Sequence, residues 1–220
     1  AEVSKERVNE NELTLNDLKA QMSDSEMRNM QYISEKGASC WLTTLPLADE
    51  NFVLSKRDFQ DALRIRYAIP LSGMSNTCVC GKPNSLCHAL TCTRGGYVSR
   101  CHNNLRDLFG HVLDDVCHFT RCEPPLAPVS RDAPNERSRL EVSATGFWRY
   151  GQDAFFDIRV FNPLAASNDK KPEAVYLSHE NEKIRKYGQR VIDVEHGSFT
   201  PLVFSANGGC SKLTTSSCQH

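Results

Sequence analysis

The segment CVCGKPNSLCHALTC, residues 78–92, constrains the fold more than any other part of the chain. It holds four of the ten cysteines and one histidine. Cys78, Cys80, His88 and Cys92 follow the spacing C-x-C-x7-H-x3-C, and three thiolates with one imidazole can converge on a tetrahedral Zn²⁺. Four protein ligands leave no open position for a water, so the pattern predicts a structural zinc knuckle.

Other readings of these cysteines stay open. Cys87, next to His88, is a competing ligand that we rank below the other four. A disulfide framework needs an oxidising compartment, and the first thirty residues are polar and carry both charges, unlike a secretion signal. Unpaired buried thiols are a further alternative. We expect small hydrophobes or free thiols at the remaining cysteines, which are Cys40, Cys101, Cys117, Cys122, Cys210 and Cys218.

Length and composition favour one main domain with smaller appendages, because 220 residues with 40% hydrophobic side chains can bury one sizeable core. The net charge of −1 excludes a uniformly basic nucleic-acid coat but permits a local basic face. No run of eighteen apolar residues occurs, so we expect no membrane partner. The chain begins with Ala1, and we interpret it as a piece of a longer intracellular protein, nuclear or cytoplasmic.

Pattern changes along the chain divide it into four parts. We expect a helical or linker segment, the zinc knuckle, a main domain of mixed α and β structure, and a disordered tail. These cover residues 1–75, 76–97, 98–209 and 210–220, respectively.

Hydrophobic periodicity indicates the elements of the main domain. A long amphipathic helix comes first and a second helix follows the central strands, while a proline-rich stretch, residues 123–139, reads as a surface loop. The helices are predicted at 98–118 and 172–189, and the strands at HFTRC (118–122), RLEVSA (139–144), AFFDIRVF (154–161), VIDVEH (191–196) and TPLVFS (200–205).

Two strands place acidic residues on one face of the predicted sheet. The strand period puts Asp157 with Phe155 and Arg159 on one face, opposite an apolar face formed by Phe156, Ile158 and Val160. In the preceding strand, Leu140, Val142 and Ala144 point inward and Glu141 outward. Paired strands would make Glu141 and Asp157 neighbouring carboxylates, ligands that suit Mg²⁺ at a phosphodiester.

The helix that follows supplies cations. Lys183, Lys186 and Tyr187 of EKIRKYGQR share one helical stripe, and an ammonium there can stabilise the charge of a reacting phosphate. Taken singly, such lysines and carboxylates are mostly solvated surface. Their occurrence together and in this order favours a catalytic site.

The combined pattern resembles a known family. The zinc spacing, Arg100-Cys101-His102-Asn103, the pair Glu141 and Asp157, and KIRKY are similar to the C-terminal restriction-like endonuclease region of site-specific non-LTR retrotransposon proteins. That family carries C-x-C-x7-H-x3-C, an R/K-H-D/N element, a carboxylate pair written P-D-x12–14-D, and K-x-x-K-Y. WLTTLP and FQDALRIRY also resemble the stretch that joins polymerase to nuclease, so the resemblance covers roughly residues 38–209.

The resemblance implies a PD-(D/E)XK-type core of order α-β-β-β-α-β and Mg²⁺-dependent nicking of DNA that primes reverse transcription. Its partners would be DNA, with RNA as a second option, and an upstream reverse transcriptase part of the same polyprotein. Glu141 and Asp157 would bind Mg²⁺, with Lys183 or Lys186 near the scissile phosphate. Arg159 is a further candidate, because it occupies the position where many enzymes of this fold keep a catalytic lysine. Tyr187 would act as a positioning group. The residues expected to contact nucleic acid are Arg100, His102, Asn103 and Arg106.

Three departures from the family pattern bear on activity more than on fold. Glu141 stands where the family usually has Asp and follows Leu140 instead of Pro. Fifteen residues separate Glu141 from Asp157, slightly beyond the usual window, and Cys101 takes the place of a basic residue. A catalytically degenerate nucleic-acid-binding module of the same fold is therefore the alternative, and a structural or protein-interaction fragment is a third hypothesis.

Overall fold

The computed structural model describes residues 2–44, 53–127 and 139–218. Most of the predicted proline-rich loop and part of WLTTLP lie outside the described residues. None of the described helices is long and apolar enough to cross a lipid bilayer.

The described chain is a mixed α and β structure. Single 3-10 turns lie at Thr93–Gly95 and Ala166–Asn168, and helix α7 continues into two π-helical turns, Ile184–Gly188 and Val191–Glu195. The helices are α1 Glu2–Gln21, α2 Asp24–Ile33, α3 Cys40–Thr43, α4 Lys56–Arg66, α5 Leu86–Ala89, α6 Tyr97–Val116, α7 Pro172–Lys183 and α8 Lys212–Cys218.

Four strands form one open sheet in the order β1-β2-β3-β4. The first three strands pair antiparallel, and β3 pairs parallel with β4 through the crossover helix α7. The strands are β1 His118–Cys122, β2 Val142–Thr145, β3 Asp153–Phe161 and β4 Ser198–Ser205. From residue 98 the observed order is helix, three strands, helix and one strand, whereas the residue patterns predicted two strands after the second helix.

The prediction of a strand at VIDVEH is wrong, because this segment prolongs α7 as a π-helical turn. Val191 is fully buried beneath β3, and this packing overrides the β preference of Val and Ile. The helix ends at His196 in the left-handed conformation, φ 53°. Gly197 follows against β3, where a Cβ would lie 2.6 Å from the Asp153 carbonyl oxygen.

The tail prediction is also wrong, since residues 212–218 form α8 rather than a disordered end. Thr214 is fully buried, and its hydroxyl accepts a hydrogen bond of 2.8 Å from the Val203 amide of β4. Ser211 in turn caps the helix by accepting from the Thr214 amide. Hydroxyl residues that look polar in sequence here satisfy backbone groups inside the fold.

Strand β3 packs on both of its faces. Phe156 and Ile158 lie in a cluster with Leu113 of α6, whereas Phe155, on the opposite face, packs against Val191. The face expected to carry charge is therefore largely buried. Leu140 differs from expectation because it belongs to the Phe155 cluster and not to that of Val142.

The N-terminal helices pack against this core. Tyr32 of α2 is fully buried in a cluster with Phe161 and Tyr176, and Tyr176 donates a hydrogen bond of 2.7 Å to Glu35. Burial raises the pKa of Glu35, although the Tyr176 hydrogen bond opposes the shift. The boundary expected at residue 75 thus does not separate an independent segment, since α2 shares the hydrophobic core.

Arg66, at the end of α4, ties α4 to the end of α2. Its guanidinium is buried and donates to the carbonyl oxygens of Ile33 (2.8 Å) and Ala38 (3.0 Å) and to the hydroxyl of Ser39. Helix ends leave carbonyl groups without helical partners. Arg66 supplies partners for two carbonyls in this stretch.

We expect Arg66→Ala to lower the free energy of unfolding by about 2 kcal/mol, because buried carbonyl acceptors lose charged donors. Arg57→Ala is the matched control on α4. The Arg57 side chain is 84% exposed and its ion pair with Asp61 is long, at 3.9 Å, so we expect the free energy of unfolding to change by less than about 0.5 kcal/mol. Urea unfolding would measure the free energy of unfolding of both variants. Equal values would contradict the role of Arg66 in joining α4 to the end of α2.

Candidate functional site

The predicted zinc ligands converge in the structure. The ligand atoms of Cys78, Cys80, His88 and Cys92 all lie within 4.8 Å of one another. The Sγ atoms of Cys78 and Cys92 are 3.8 Å apart, and a tetrahedral site with Zn–S bonds of about 2.3 Å places its sulfurs about 3.8 Å apart. Three thiols and one imidazole at these distances form a Cys3His cluster that could bind zinc.

Local backbone turns create this cluster. Gly81 adopts φ 83° in a tight turn, where its amide donates to the Cys78 carbonyl, and glycine reaches this conformation without a Cβ clash. Desolvation raises the pKa of the Cys92 thiol, but the amides of Gly95 and Arg94 point at it and lower the pKa overall. Amide donors aimed at a thiol favour the thiolate, the form that binds metal.

Cys87 faces away from the cluster, in agreement with its lower rank as a ligand. Asn162 is a buried residue just after β3. Its side-chain amide donates to the carbonyl oxygen of Cys87 at 3.2 Å and also contacts the Cys87 sulfur. Asn162 thus attaches the knuckle to the end of the central strand. The nine cysteines with described side chains are all free thiols, so no disulfide joins them.

A second group of polar residues lies in a cleft of about 220 Å³ between α6, β3 and α7. Its polar lining comes from Ser99, His102, Asn103, Arg159 and Lys183. Asp157 lies on β3, and Glu141 directly precedes β2. Val142 pairs with Phe156, and the Glu141 amide also donates to the Phe156 carbonyl, so Glu141 and Val142 both lie against Phe156 and the strand alternation is broken at Glu141.

Asp157 is buried and forms an ion pair with Lys183. The Asp157 side chain is 4% exposed, and its Oδ2 lies 2.6 Å from Lys183 Nζ. Burial raises the pKa of Asp157 even though the Lys183 charge opposes the shift, and the neighbouring Glu141 adds to it. The Lys183 ammonium is therefore the charged partner of this buried oxygen.

Glu141 pairs with a residue of α6. Its Oε1 lies 3.0 Å from His102 Nε2, and both side chains are about one quarter exposed. Burial raises the pKa of Glu141, but the His102 hydrogen bond and the nearby charges of Arg106 and Lys183 lower it overall. Glu141 is therefore ionised at neutral pH.

The structure distinguishes the two candidate lysines. Lys183 contacts Asp157, whereas Lys186 is exposed and lies 4.8 Å from the centre of the Tyr187 ring. Tyr187 packs beside Phe199 of β4. Arg159 is exposed at the cleft, so of the predicted cations Lys183 and Arg159 are the two that line it.

The residues expected to contact nucleic acid occupy different surroundings. Arg100 is exposed and Asn103 lines the cleft. Arg106 is instead engaged by Glu123 (2.5 Å) and Asp107 (2.8 Å). His102 contacts Glu141. Sequence periodicity describes each helix or strand separately, so it cannot predict a contact between two of them. Sequence patterns also gave no sign of Asn162 as the link between knuckle and core.

Within the described residues, the Cys3His cluster is the only group of three or more His, Cys, Asp or Glu ligand atoms within 4.8 Å of one another. Glu141, Asp157 and His102 do not form such a group in this conformation. Each carboxylate instead contacts a basic side chain.

Neither a scan against protein-family models nor a search of the curated proteins finds a match for this chain.

The zinc site predicts a clear difference between cysteines of the same segment. Purified protein should hold one zinc per chain, and Cys92→Ser should lose it because one of four ligands is removed. Cys87→Ser is the matched control and should keep zinc, since Cys87 contacts Asn162. Metal analysis by mass spectrometry decides the matter: a zinc-free Cys87→Ser or a fully loaded Cys92→Ser would contradict the ligand set.

The Asp157–Lys183 pair predicts a stability signature independent of any activity. Lys183→Met should destabilise by about 3 kcal/mol at neutral pH because it leaves a buried carboxylate without its cation, and adding Asp157→Asn should recover most of the loss. Since the folded-state pKa of Asp157 is already raised, the deficit of Lys183→Met should shrink as pH falls and the carboxylate protonates.

Lys186→Met serves as the control for this pair, because its exposed ammonium should affect stability by less than about 0.5 kcal/mol. Urea unfolding across pH 4 to 8 provides the readout. A pH-independent deficit in Lys183→Met, or no recovery in the double variant, would show that the ion pair does not carry the effect.

Proposed function

We propose that residues 98–209 form a metal-dependent DNA endonuclease domain. The observation that carries this proposal is the ion pair of the buried Asp157, on β3, with the Lys183 ammonium from the following helix, with Glu141 within electrostatic reach of both. Paired carboxylates with one positioned ammonium are suited to phosphodiester hydrolysis. The proposal rests on this geometry together with the sequence resemblance described above.

The fold supports the same class of enzyme. The order α6-β1-β2-β3-α7-β4 and the mixed sheet agree with the PD-(D/E)XK-type core that the resemblance implies. Asp157 lies on the central strand β3 and Glu141 directly precedes β2, so the packed sheet holds the position of Asp157 and limits that of Glu141. Fold alone does not define a reaction, and the proposal therefore depends on the carboxylates and the lysine.

The two carboxylates next to the cleft offer oxygen donors for a divalent cation. Carboxylate oxygens are the ligands that Mg²⁺ prefers, and an ion at Asp157 Oδ2 would replace the Lys183 ammonium that contacts this oxygen. Glu141 and Asp157 would hold the ion, which supplies charge stabilisation at the phosphate and an activated water when bound.

The other cleft residues have separate roles. Lys183 lines the cleft. Its ammonium would stabilise the negative charge that develops on the phosphate during the reaction. Arg159, exposed at the same cleft, is placed to contact the DNA backbone. Tyr187 packs between the two lysines and Phe199, so it acts by positioning them.

In the context of the family that the chain resembles, this nick would release a 3′ end for reverse transcription. A reverse transcriptase part of the same polyprotein would then use that end as primer. The knuckle carries exposed Lys82 and Arg94 beside the zinc ligands, and these cations would add phosphate contacts to the DNA-binding surface.

One observation favours the alternative of a nucleic-acid-binding module without catalysis. Both carboxylates already have basic partners, His102 and Lys183, so each acid is engaged without a divalent ion. Binding by such a module would weaken with salt in proportion to its phosphate contacts and would not respond to Mg²⁺.

The endonuclease proposal predicts that Asp157→Asn abolishes metal-dependent nicking of supercoiled plasmid. Asp153→Asn, four residues earlier on β3, is the matched control, because Asp153 pairs with Arg121 whereas Asp157 pairs with Lys183. Lys183→Ala should lower the nicking rate on the order of 10²-fold, as expected for loss of an electrostatic stabiliser, whereas Lys186→Ala should have a smaller effect.

Gel assays with Mg²⁺, with Mn²⁺ and with chelator would measure the nicking rate for these variants. Undiminished cleavage by Asp157→Asn would eliminate the assignment. Salt-sensitive DNA binding by the wild type, with no cleavage in either metal, would support the alternative binding module.

A further inference from the structure

The cleft between α6, β3 and α7 is lined by positive charge and by polar side chains. Arg159 and Lys183 supply the charges, and Ser99, His102 and Asn103 supply the polar groups, whereas the lining contains no carboxylate. Its volume of about 220 Å³ is several times the roughly 30 Å³ that one water takes in the liquid, so a phosphate group fits. A cleft of this composition suits an anion rather than a metal ion.

Lys183 belongs to this cleft and also to a buried ion pair. Its Nζ lies 2.6 Å from Asp157 Oδ2, and the Asp157 side chain is 4% exposed. The Lys183 side chain also lines the cleft, so it joins the cleft to the buried acid. A lysine ammonium carries three donors on a flexible stem of four carbons. One lysine is therefore within reach of two anions, the Asp157 carboxylate and a phosphate in the cleft.

Building on the proposed function, we propose that a DNA backbone phosphate bound in the cleft takes the Lys183 ammonium from Asp157, and that Asp157 accepts a divalent cation only after this exchange. In the free protein Lys183 is thus an internal competitor of the metal. DNA binds first, and metal binding at the carboxylates depends on it.

Charge balance gives the reason for this order. A metal ion that reached Asp157 first would displace the ammonium, and the other nearby acid, Glu141, is already paired with His102. A phosphate in the cleft provides a new anionic partner for Lys183, with Arg159 beside it. The exchange leaves Asp157 buried without a cation, which is unfavourable, and a divalent ion relieves this. DNA and metal therefore tighten the binding of each other.

The first test removes the competing ammonium. With zinc-loaded protein and without DNA, Lys183→Met should bind Mn²⁺ at least about tenfold more tightly than the wild type, a factor typical of coupling between sites. Lys186→Met is the matched control and should bind Mn²⁺ like the wild type, because Lys186 is exposed and lies beside Tyr187. Paramagnetic resonance of free Mn²⁺ measures these affinities, at pH 8 to favour the ionised carboxylate.

The second test adds a mixed-sequence DNA duplex to the same samples. The duplex should tighten Mn²⁺ binding by the wild type at least about tenfold, and by less in Lys183→Met, where Asp157 has no ammonium to release. Asp157→Asn with the same duplex corrects for Mn²⁺ that the DNA itself holds. Arg159→Ala should weaken duplex binding in the absence of Mn²⁺, because one phosphate contact is lost.

Lys183→Met should also change two properties in opposite directions. It should bind Mn²⁺ more tightly and yet nick DNA more slowly, because the ammonium also stabilises the reacting phosphate. Loss of a merely structural lysine would weaken both. Thermal unfolding verifies that the variant is folded, and Lys183→Gln, which keeps a hydrogen-bond donor without the charge, takes its place if Lys183→Met does not fold.

Two results would overturn the inference. These are equal Mn²⁺ affinity of the wild type and the folded Lys183 variant, and no gain in Mn²⁺ affinity when the duplex is added to the wild type. Metal-dependent nicking by the wild type in the same samples would then leave the endonuclease proposal intact. Absence of both Mn²⁺ binding and nicking in every sample would overturn both proposals.

Discussion

The central constraint of this structure is that β3 is packed on both faces. Phe156 and Ile158 face α6, while Phe155 packs against the prolonged α7. Asp157 lies between these residues and is therefore taken out of water with the strand. A carboxylate in such surroundings needs a charged partner or a proton, and Lys183 provides the charged partner. The ion pair with α7 thus follows from the burial of the strand.

The same strand joins the chemistry to the knuckle. Asn162 follows β3 directly, donates to Cys87 of α5, and accepts from the Leu164 amide. Metal binding in small Cys/His clusters contributes folding energy. A metal bound at the Cys3His cluster would therefore stabilise a segment whose attachment point, Asn162, lies five residues from Asp157. The hydrogen bond from Asn162 to Cys87 joins this segment to the end of β3.

Several features could be predicted because they depend on local rules. The spacing of Cys78, Cys80, His88 and Cys92 defines a compact loop, and hydrophobic periodicity predicts the helix α6 and the strand β3. Other features depend on tertiary contacts. The helical state of residues 191–195 and the order of α8 are fixed by packing against β3 and β4, which local propensity does not contain. Which of Lys183 and Lys186 contacts Asp157 likewise depends on how α7 is rotated relative to the sheet.

The charge arrangement of the cleft links these observations to function. His102 and Lys183 come from the two helices that flank the sheet, and each faces a different carboxylate. Each acid thus has a basic partner, which offsets the repulsion between like charges in partly buried surroundings. Buried ion pairs are often no more stabilising than packed hydrophobic side chains. Stability alone therefore does not account for this arrangement, and chemistry beside the cleft is the explanation that we propose.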